Sequence, residues 1–234
     1  MCVTEFVGFD LETTGISSFL DVPVSYGFVK HERLANESVT SSEGGFVNPG
    51  VVIPAGATAI HGINNEMVAD APLIEIATSA IADRISVIWS SGGVIVGMNV
   101  SYDLTMVDSL CRRLSIPTLI ERGVIGPVVD ILILDRHFDK WRKGSRKLTD
   151  LCRHYGVTLG SAHSAIDDAE ASLSVLEAML NLYPAIAELP LENINETLRA
   201  WYLEWLISFS SYLEKKGEAP ISAGRYEWPI HVDA

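Results

Sequence analysis

The residues best able to do chemistry in this 234-residue chain are a few closely spaced carboxylates with a histidine beside one of them. Asp10 and Glu12 stand two apart at the end of Glu5–Asp10 (EFVGFD), a short apolar run that reads as a buried strand. On a strand, residues i and i+2 project to one face, so both carboxylates point the same way. Alone, the pair is either a metal site or an ordinary solvated strand end. Thr13, Thr14 and Gly15 follow as a turn, in which Gly15 is free to take positive φ and backbone N–H groups are placed for an incoming polar group. Asp103 opens a predicted helix whose apolar residues Val107, Leu110 and Leu114 continue its stripe. A lone charge on that inward face is expensive unless paired or bound to a cation. The other reading is an exposed first-turn aspartate facing the helix dipole.

The third element is His163–Asp168 (HSAIDD). Ser164 with Asp167 three residues on forms a capping box, so a helix starts there. Asp167 then serves the cap, Asp168 faces elsewhere, and His163 lies just outside on the loop. Inside a helix, a spacing of five would set His163 and Asp168 about 140° apart. Were these four carboxylates to converge, they would need cations, because like charges ~4 Å apart repel by about 4 kcal/mol at an effective dielectric near 20. Hard oxygen donors select Mg²⁺ or Mn²⁺, and no Cys/His cluster offers a zinc alternative.

The elements that must position these groups follow from periodicity. Runs around Val22–His31 and Val39–Val47, with polar turn material near Asn36, make an antiparallel meander with the first strand. The Pro/Gly-rich segment Asn48–Gly62 is too rich in breakers to be regular. Ile74, Ala77, Ile81, Ile85 and Ile88 mark an amphipathic helix. A short strand at Val94–Gly97 precedes a helix from Tyr102 to Leu114; Val128–Leu132 is a last strand or its run-out into a helix. Further helices cover Lys147–Tyr155, Ser164–Leu182 and Ile194–Lys215. The last carries a stripe of Ile194, Leu198, Trp201, Trp205, Ser208/Phe209 and Tyr212. A meander followed by alternating helices and strands predicts an α/β fold with a mixed sheet flanked by helices.

Taken together, three motifs and a loop resemble the DEDDh 3′→5′ exonuclease family, which includes the proofreading epsilon subunit of bacterial DNA polymerase III. FDLETTG (Phe9–Gly15) resembles D-x-E-T-T-G, VGMNVSYDLTMV (Val96–Val107) resembles V-G-H-N-x-x-F-D, and HSAIDDAEAS (His163–Ser172) resembles H-x-A-x-x-D-A. NPGVVIPAGATAIHGI resembles the family's I-P-x-x-A-x-x-x-H-G-I loop. Met98 departs from the usual histidine, and Ser164 stands where the sister subclass carries tyrosine. The resemblance implies a ribonuclease H-like, five-stranded mixed sheet. It divides the chain into an exonuclease domain (1–183) and a C-terminal helical extension and tail (184–234). It implies two divalent metal ions, Mg²⁺ or Mn²⁺, held by Asp10, Glu12 and Asp168, with Asp10 bridging and Asp103 serving the second ion. His163 would deprotonate the attacking water, a task to which an imidazole is suited. Thr13 and Thr14 would receive the terminal 3′-OH. Ile60, His61 and Tyr102 would stack or wedge against terminal bases, and Asn99 completes the substrate-binding set.

The bulk properties constrain partners. Hydrophobic content of 48% argues for a packed globular chain, and the most apolar stretch, Val124–Leu134, is broken by Gly126, Pro127 and Asp130. The expectation is a cytoplasmic protein with no membrane partner, no signal peptide and three unremarkable thiols, Cys2, Cys111 and Cys152. A net charge of −13 opposes broad duplex binding. It favours a protein that grips strand ends, and the resemblance implies that these are single-stranded or frayed 3′ ends of DNA, with RNA as the alternative. Six of the seventeen Lys and Arg fall within Arg136–Lys147, either as a solvated loop or as a phosphate-facing patch. A DNA polymerase is a candidate partner. The chain has no glutamine, so a glutamine-led sliding-clamp motif is absent. The four histidines His31, His137, His154 and His231 read as structural or solvated, and monomer and homodimer both stay open.

Overall fold

A computed structural model describes residues 5–34, 37–123, 125–160, 163–219, 221 and 223–233. Cys2, the turn near Asn36 and the start of the Val124 stretch lie outside those residues. Five strands form one sheet: β1 Phe6–Thr13, β2 Pro23–Leu34, β3 Glu37–Phe46, β4 Val94–Gly97 and β5 Val128–Asp130. Their order is β3-β2-β1-β4-β5. The first three strands are an antiparallel meander, while β4 runs parallel to β1 and β5 parallel to β4. This is the mixed α/β sheet expected, with β1 at its centre. Phe9 is fully buried and stands opposite Phe28 in the register, their rings stacked 4.7 Å apart. Such cross-strand aromatic pairs help set which residues face each side.

Among the described residues seven α-helices flank the sheet: α1 Ala55–His61, α2 Ile74–Ser90, α3 Ser101–Arg113, α4 Ile131–Phe138, α5 Leu148–Tyr155, α6 Ala165–Leu182 and α7 Ile194–Lys215. The stripe predicted for α2 is buried at every position. Helix α6 approaches the strand backbone directly. A Cβ on Gly8 would lie 2.4 Å from the Ala169 carbonyl oxygen, and one on Gly27 would lie 2.6 Å from the Ala165 backbone. Glycine at both positions lets helix backbone rest directly on strand backbone.

Several expectations need correction. The Asn48–Gly62 segment contains α1, because its breakers bracket the helix instead of interrupting it: Pro54 is the N-cap and Gly62, at φ 76°, closes the C-terminus. Val128–Leu132 is both strand and helix, joined at Asp130, whose carboxylate accepts from the Leu132 N–H at 2.9 Å. Ser164 is the N-cap of α6, yet its side chain makes no capping hydrogen bond. Gly15 is not among the positive-φ glycines; its constraint is space, since a Cβ would fall 2.5 Å from the Asp21 carboxylate. The buried stripe of α7 is Ile194, Leu198, Tyr202, Leu206 and Ser210. The row through Trp201 and Trp205 lies beside it, with Phe209 and Tyr212 exposed.

The basic segment is not simply a solvated loop. Arg142 and Arg146 turn inward onto the fully buried carboxylate of Asp135, which Tyr155 also contacts through its hydroxyl at 2.9 Å. Asn195 of α7 clamps the chain around β5, accepting from the Val128 N–H and donating to the Gly126 carbonyl, each at 2.8 Å. Apolar side chains of α7 and of Trp228 and Ile230 belong to the same core as the sheet. Cys111 and Cys152 are free and buried. Among the described residues no helix is long and apolar enough to cross a membrane.

Candidate active site

Strand alternation places Gly8, Asp10 and Glu12 on one face of β1. At Gly8 that face touches the backbone of α6, so the next two side chains along the strand meet the first turns of the same helix. That is where Asp168 sits. Glu12, His163 and Asp168 each offer a ligand atom within 4.8 Å of the others. His163 is exposed and holds a left-handed φ of 67° immediately before the Ser164 cap. Asp103, buried in the first turn of α3, is near enough to interact electrostatically with Asp10 and Glu12.

The four carboxylates disturb one another. Burial is the largest cause in each case. It pushes Asp10 well above the ordinary carboxylate range, and Asp103, Asp168 and Glu12 add to the rise. Glu12 is carried up to about 7 by burial and then by Asp168. Asp103 is also driven well up, by burial with Asp130 and Glu12, against hydrogen bonds from its own backbone N–H and that of Leu11. Asp168 rises through burial, which outweighs the opposing pull of His163. Asp10 is only half-buried by its own surface, so its shift reflects crowding by neighbours as well as lost water. Four mutually repelling hard oxygen donors fit a divalent cation. Asp168 Oδ1 adds a direct sign, since it is buried without a hydrogen-bond partner.

Around this cluster the turn after β1 is tightly organised. The Tyr102 hydroxyl donates to the Gly15 carbonyl at 2.7 Å and lies 3.3 Å from Thr13 Oγ1, which also donates to Gly15. The Thr14 hydroxyl donates to Asp21 and accepts from Val22 N–H, so that side chain is committed within the loop. His61 closes α1 with Nδ1 accepting from Ile63 N–H at 3.0 Å, which leaves the proton on Nε2. Burial lowers its pKa, against the pull of the Thr13 backbone and together with repulsion from His163. With His163, Tyr26, Phe46, Met67 and Ile166 it lines a cavity of about 330 Å³. Ile60 is exposed and stands outside that lining. Asn99, at φ 57°, is exposed on the opposite, α7 side of the site.

Asp130 was not among the residues singled out from sequence. Its Oδ1 accepts from Asn99 N–H at 3.0 Å while capping α4, and burial raises its pKa to about 6. An aspartate ending an apolar run before a helix is the signal that could have found it. The remaining histidines lie elsewhere: His31 contacts Glu177, His137 stacks on Trp201, His154 meets Asp139, and His231 contacts the Glu227 carbonyl.

The family model described as exonuclease matches residues 7–176. The chain belongs to the exonuclease family. This exonuclease chain is 32% identical over 194 residues to the PolC-type DNA polymerase III of Caldanaerobacter subterraneus subsp. tengcongensis, covering 83% of itself and 13% of that protein. It is 32% identical over 188 residues to the DNA polymerase III subunit epsilon-like protein of Rhodobacter capsulatus, covering 77% of itself and 24% of that relative. It therefore spans a minor part of the length of these curated relatives. Among solved structures, E. coli exonuclease I in complex with a dT13 oligonucleotide has a TM-score of 0.66 at 19% identity, over 80% of this chain and 43% of the other. Exonuclease I from Methylocaldum szegediense gives 0.64 at 21% identity, over 87% and 45%. These likenesses establish the ribonuclease H-like fold, and the exonuclease family read from the motifs is borne out.

Proposed function

We propose that this chain is a divalent-metal-dependent 3′→5′ exonuclease that releases nucleoside 5′-monophosphates from DNA 3′ ends, with residues 1–183 as the catalytic unit. The observation that carries the reading is the convergence of Asp10, Glu12, Asp103 and Asp168 beside an exposed histidine, with Asp168 Oδ1 buried and unpartnered. In this reading the four carboxylates hold two ions, Mg²⁺ or Mn²⁺. When bound, such ions would polarise the scissile phosphate and make the attacking water more acidic.

The protein's own groups divide the remaining tasks. His163, beside Glu12 and Asp168 yet open to solvent, takes the proton from the attacking water. Tyr102 and Thr13 fix the turn that receives the terminal sugar. His61 and the cavity it shares with His163 take the terminal base, with Ile60 as a wedge at the surface. Asn99 contacts the strand on the far side. DNA is placed ahead of RNA because the relatives are named as DNA polymerase III proteins. For the same reason a polymerase is the favoured partner, in the cytoplasm.

The test is digestion of matched 5′-labelled DNA and RNA oligonucleotides with Mg²⁺ or Mn²⁺. Stepwise 3′ shortening of DNA, abolished by chelator and in Asp10→Ala and His163→Ala, is the expected result. Undiminished cleavage by either variant overturns the mechanism, and faster RNA digestion overturns the substrate assignment.

A further inference from the structure

Beside α7, α4 and the segment that follows it form a groove of about 550 Å³ that the catalytic reading leaves unused. Its charge runs against the rest of the chain. Arg136, Lys140 and Arg146 line it against one carboxylate, Glu204, in a protein of net charge −13. Arg146 is engaged with Asp135, and Lys140 pairs with Glu204 at 3.1 Å.

Arg136 differs from both. Its guanidinium lies 3.5 Å from the centre of the Trp205 ring, and among the described residues it makes no hydrogen bond or ion pair. It is half-buried, and burial lowers its pKa to about 10 despite attraction from Asp130. A partly desolvated fork of N–H donors without an acceptor is costly, and its geometry matches a phosphate. The aromatic side chains point the same way. Trp201 is covered by His137 at 3.6 Å and Trp205 by Arg136, but Trp141 is 86% exposed. Its recorded ring partner is Lys140, 5.9 Å away. A large ring held in water beside a lysine is suited to stacking on a base.

The groove also continues toward the sheet edge that carries the site. A second cavity of about 350 Å³ shares Arg136, Tyr202 and Trp205 with it and reaches Asn99. Asn99 follows β4, which runs parallel to β1, so it emerges at the same edge of the sheet as Asp10 and Glu12.

We propose that this groove holds the single strand leading into the active site, with a backbone phosphate on Arg136 and a base stacked on Trp141. The inference rests on the exonuclease reading, but it concerns contacts upstream of the terminal nucleotide. Two measurements separate the readings. The first is binding in chelator, by fluorescence anisotropy, of a labelled dinucleotide and of a labelled oligothymidylate about 12 nucleotides long. Trp141→Ala should weaken the long ligand roughly 5- to 150-fold, as loss of one base stack predicts, and leave the dinucleotide unchanged. Arg136→Gln should also reduce the slope of log affinity against log salt by about 0.7. Because Trp141 is exposed, its removal does not threaten the fold. The second measurement is hydrolysis of the same two substrates with Mn²⁺, where Trp141→Ala should raise KM for the long strand alone.

Unchanged affinity of Trp141→Ala for the long strand overturns the groove, whatever the activity. A wild type that binds the long strand through Trp141 but cleaves neither substrate overturns the exonuclease reading and keeps the groove.

Discussion

Replacing Glu12 with glutamine should stabilise the metal-free protein at neutral and alkaline pH while ending catalysis. In the folded chain, burial and the nearby Asp168 raise the Glu12 carboxyl from its ordinary 4.5 to about 7. The folded state therefore holds this proton more tightly than the unfolded state does. The stability it contributes is complete below pH 4.5 and is lost as pH rises through about 7. The full change corresponds to about 3 kcal/mol, and solvent reaching the cleft leaves about 2 kcal/mol. For a chain of this length that is a melting shift of about 4–8 °C. Thermal melts in chelator between about pH 5 and about pH 8 should show wild type losing stability and Glu12→Gln losing less, the remainder coming from Asp10, Asp103 and Asp168. Added Mn²⁺ should restore wild type at high pH and help the variant less, because the ion takes the place of the proton. A variant that melts at or below wild type at about pH 8 in chelator would refute the reasoning. So would one that keeps the whole wild-type pH slope.

Three further outcomes follow from individual contacts. Asp135→Ala removes the buried acceptor shared by Arg142, Arg146 and Tyr155, and should cost about 3–5 kcal/mol in urea denaturation because two inward-facing cations lose their partner. Gly27→Ala places a methyl against the Ala165 backbone, so turnover should fall about 100-fold through displacement of the start of α6, with the far-ultraviolet circular dichroism spectrum retained. Asn195→Ala leaves the Val128 N–H and Gly126 carbonyl without their clamp; the unfolding free energy should drop by about 1–3 kcal/mol.

The parts of this molecule legible in the sequence are those governed by short-range periodicity. The i, i+2 relation of Asp10 and Glu12 survives the finding that β1 extends to Thr13, because parity along a strand does not depend on where it ends. Asp103 was found through the stripe it begins, and Asp168 was separated from Asp167 by one position on the helix. What escaped depends on packing. α1 was hidden because proline and glycine mark helix ends as well as loops. The α7 stripe was right at Ile194 and Leu198 and then misphased, because Trp201 and Trp205 look like core, whereas Tyr202 and Leu206 continue the buried row. Asp130 escaped because its partners, Asn99 and Leu132, converge only in the folded chain.

The contact of α6 with β1 and β2 has a consequence for tolerance to change. With no side chain between helix and strands at Gly8 and Gly27, the spacing from Asp168 to Asp10 and Glu12 is gauged by main-chain atoms. Main-chain dimensions are the same in every sequence, while side-chain volumes drift with each substitution. The geometry of the carboxylate cluster is thereby insulated from turnover of the surrounding core, and the core can be re-sorted freely so long as two hydrogens stay where two side chains would otherwise be.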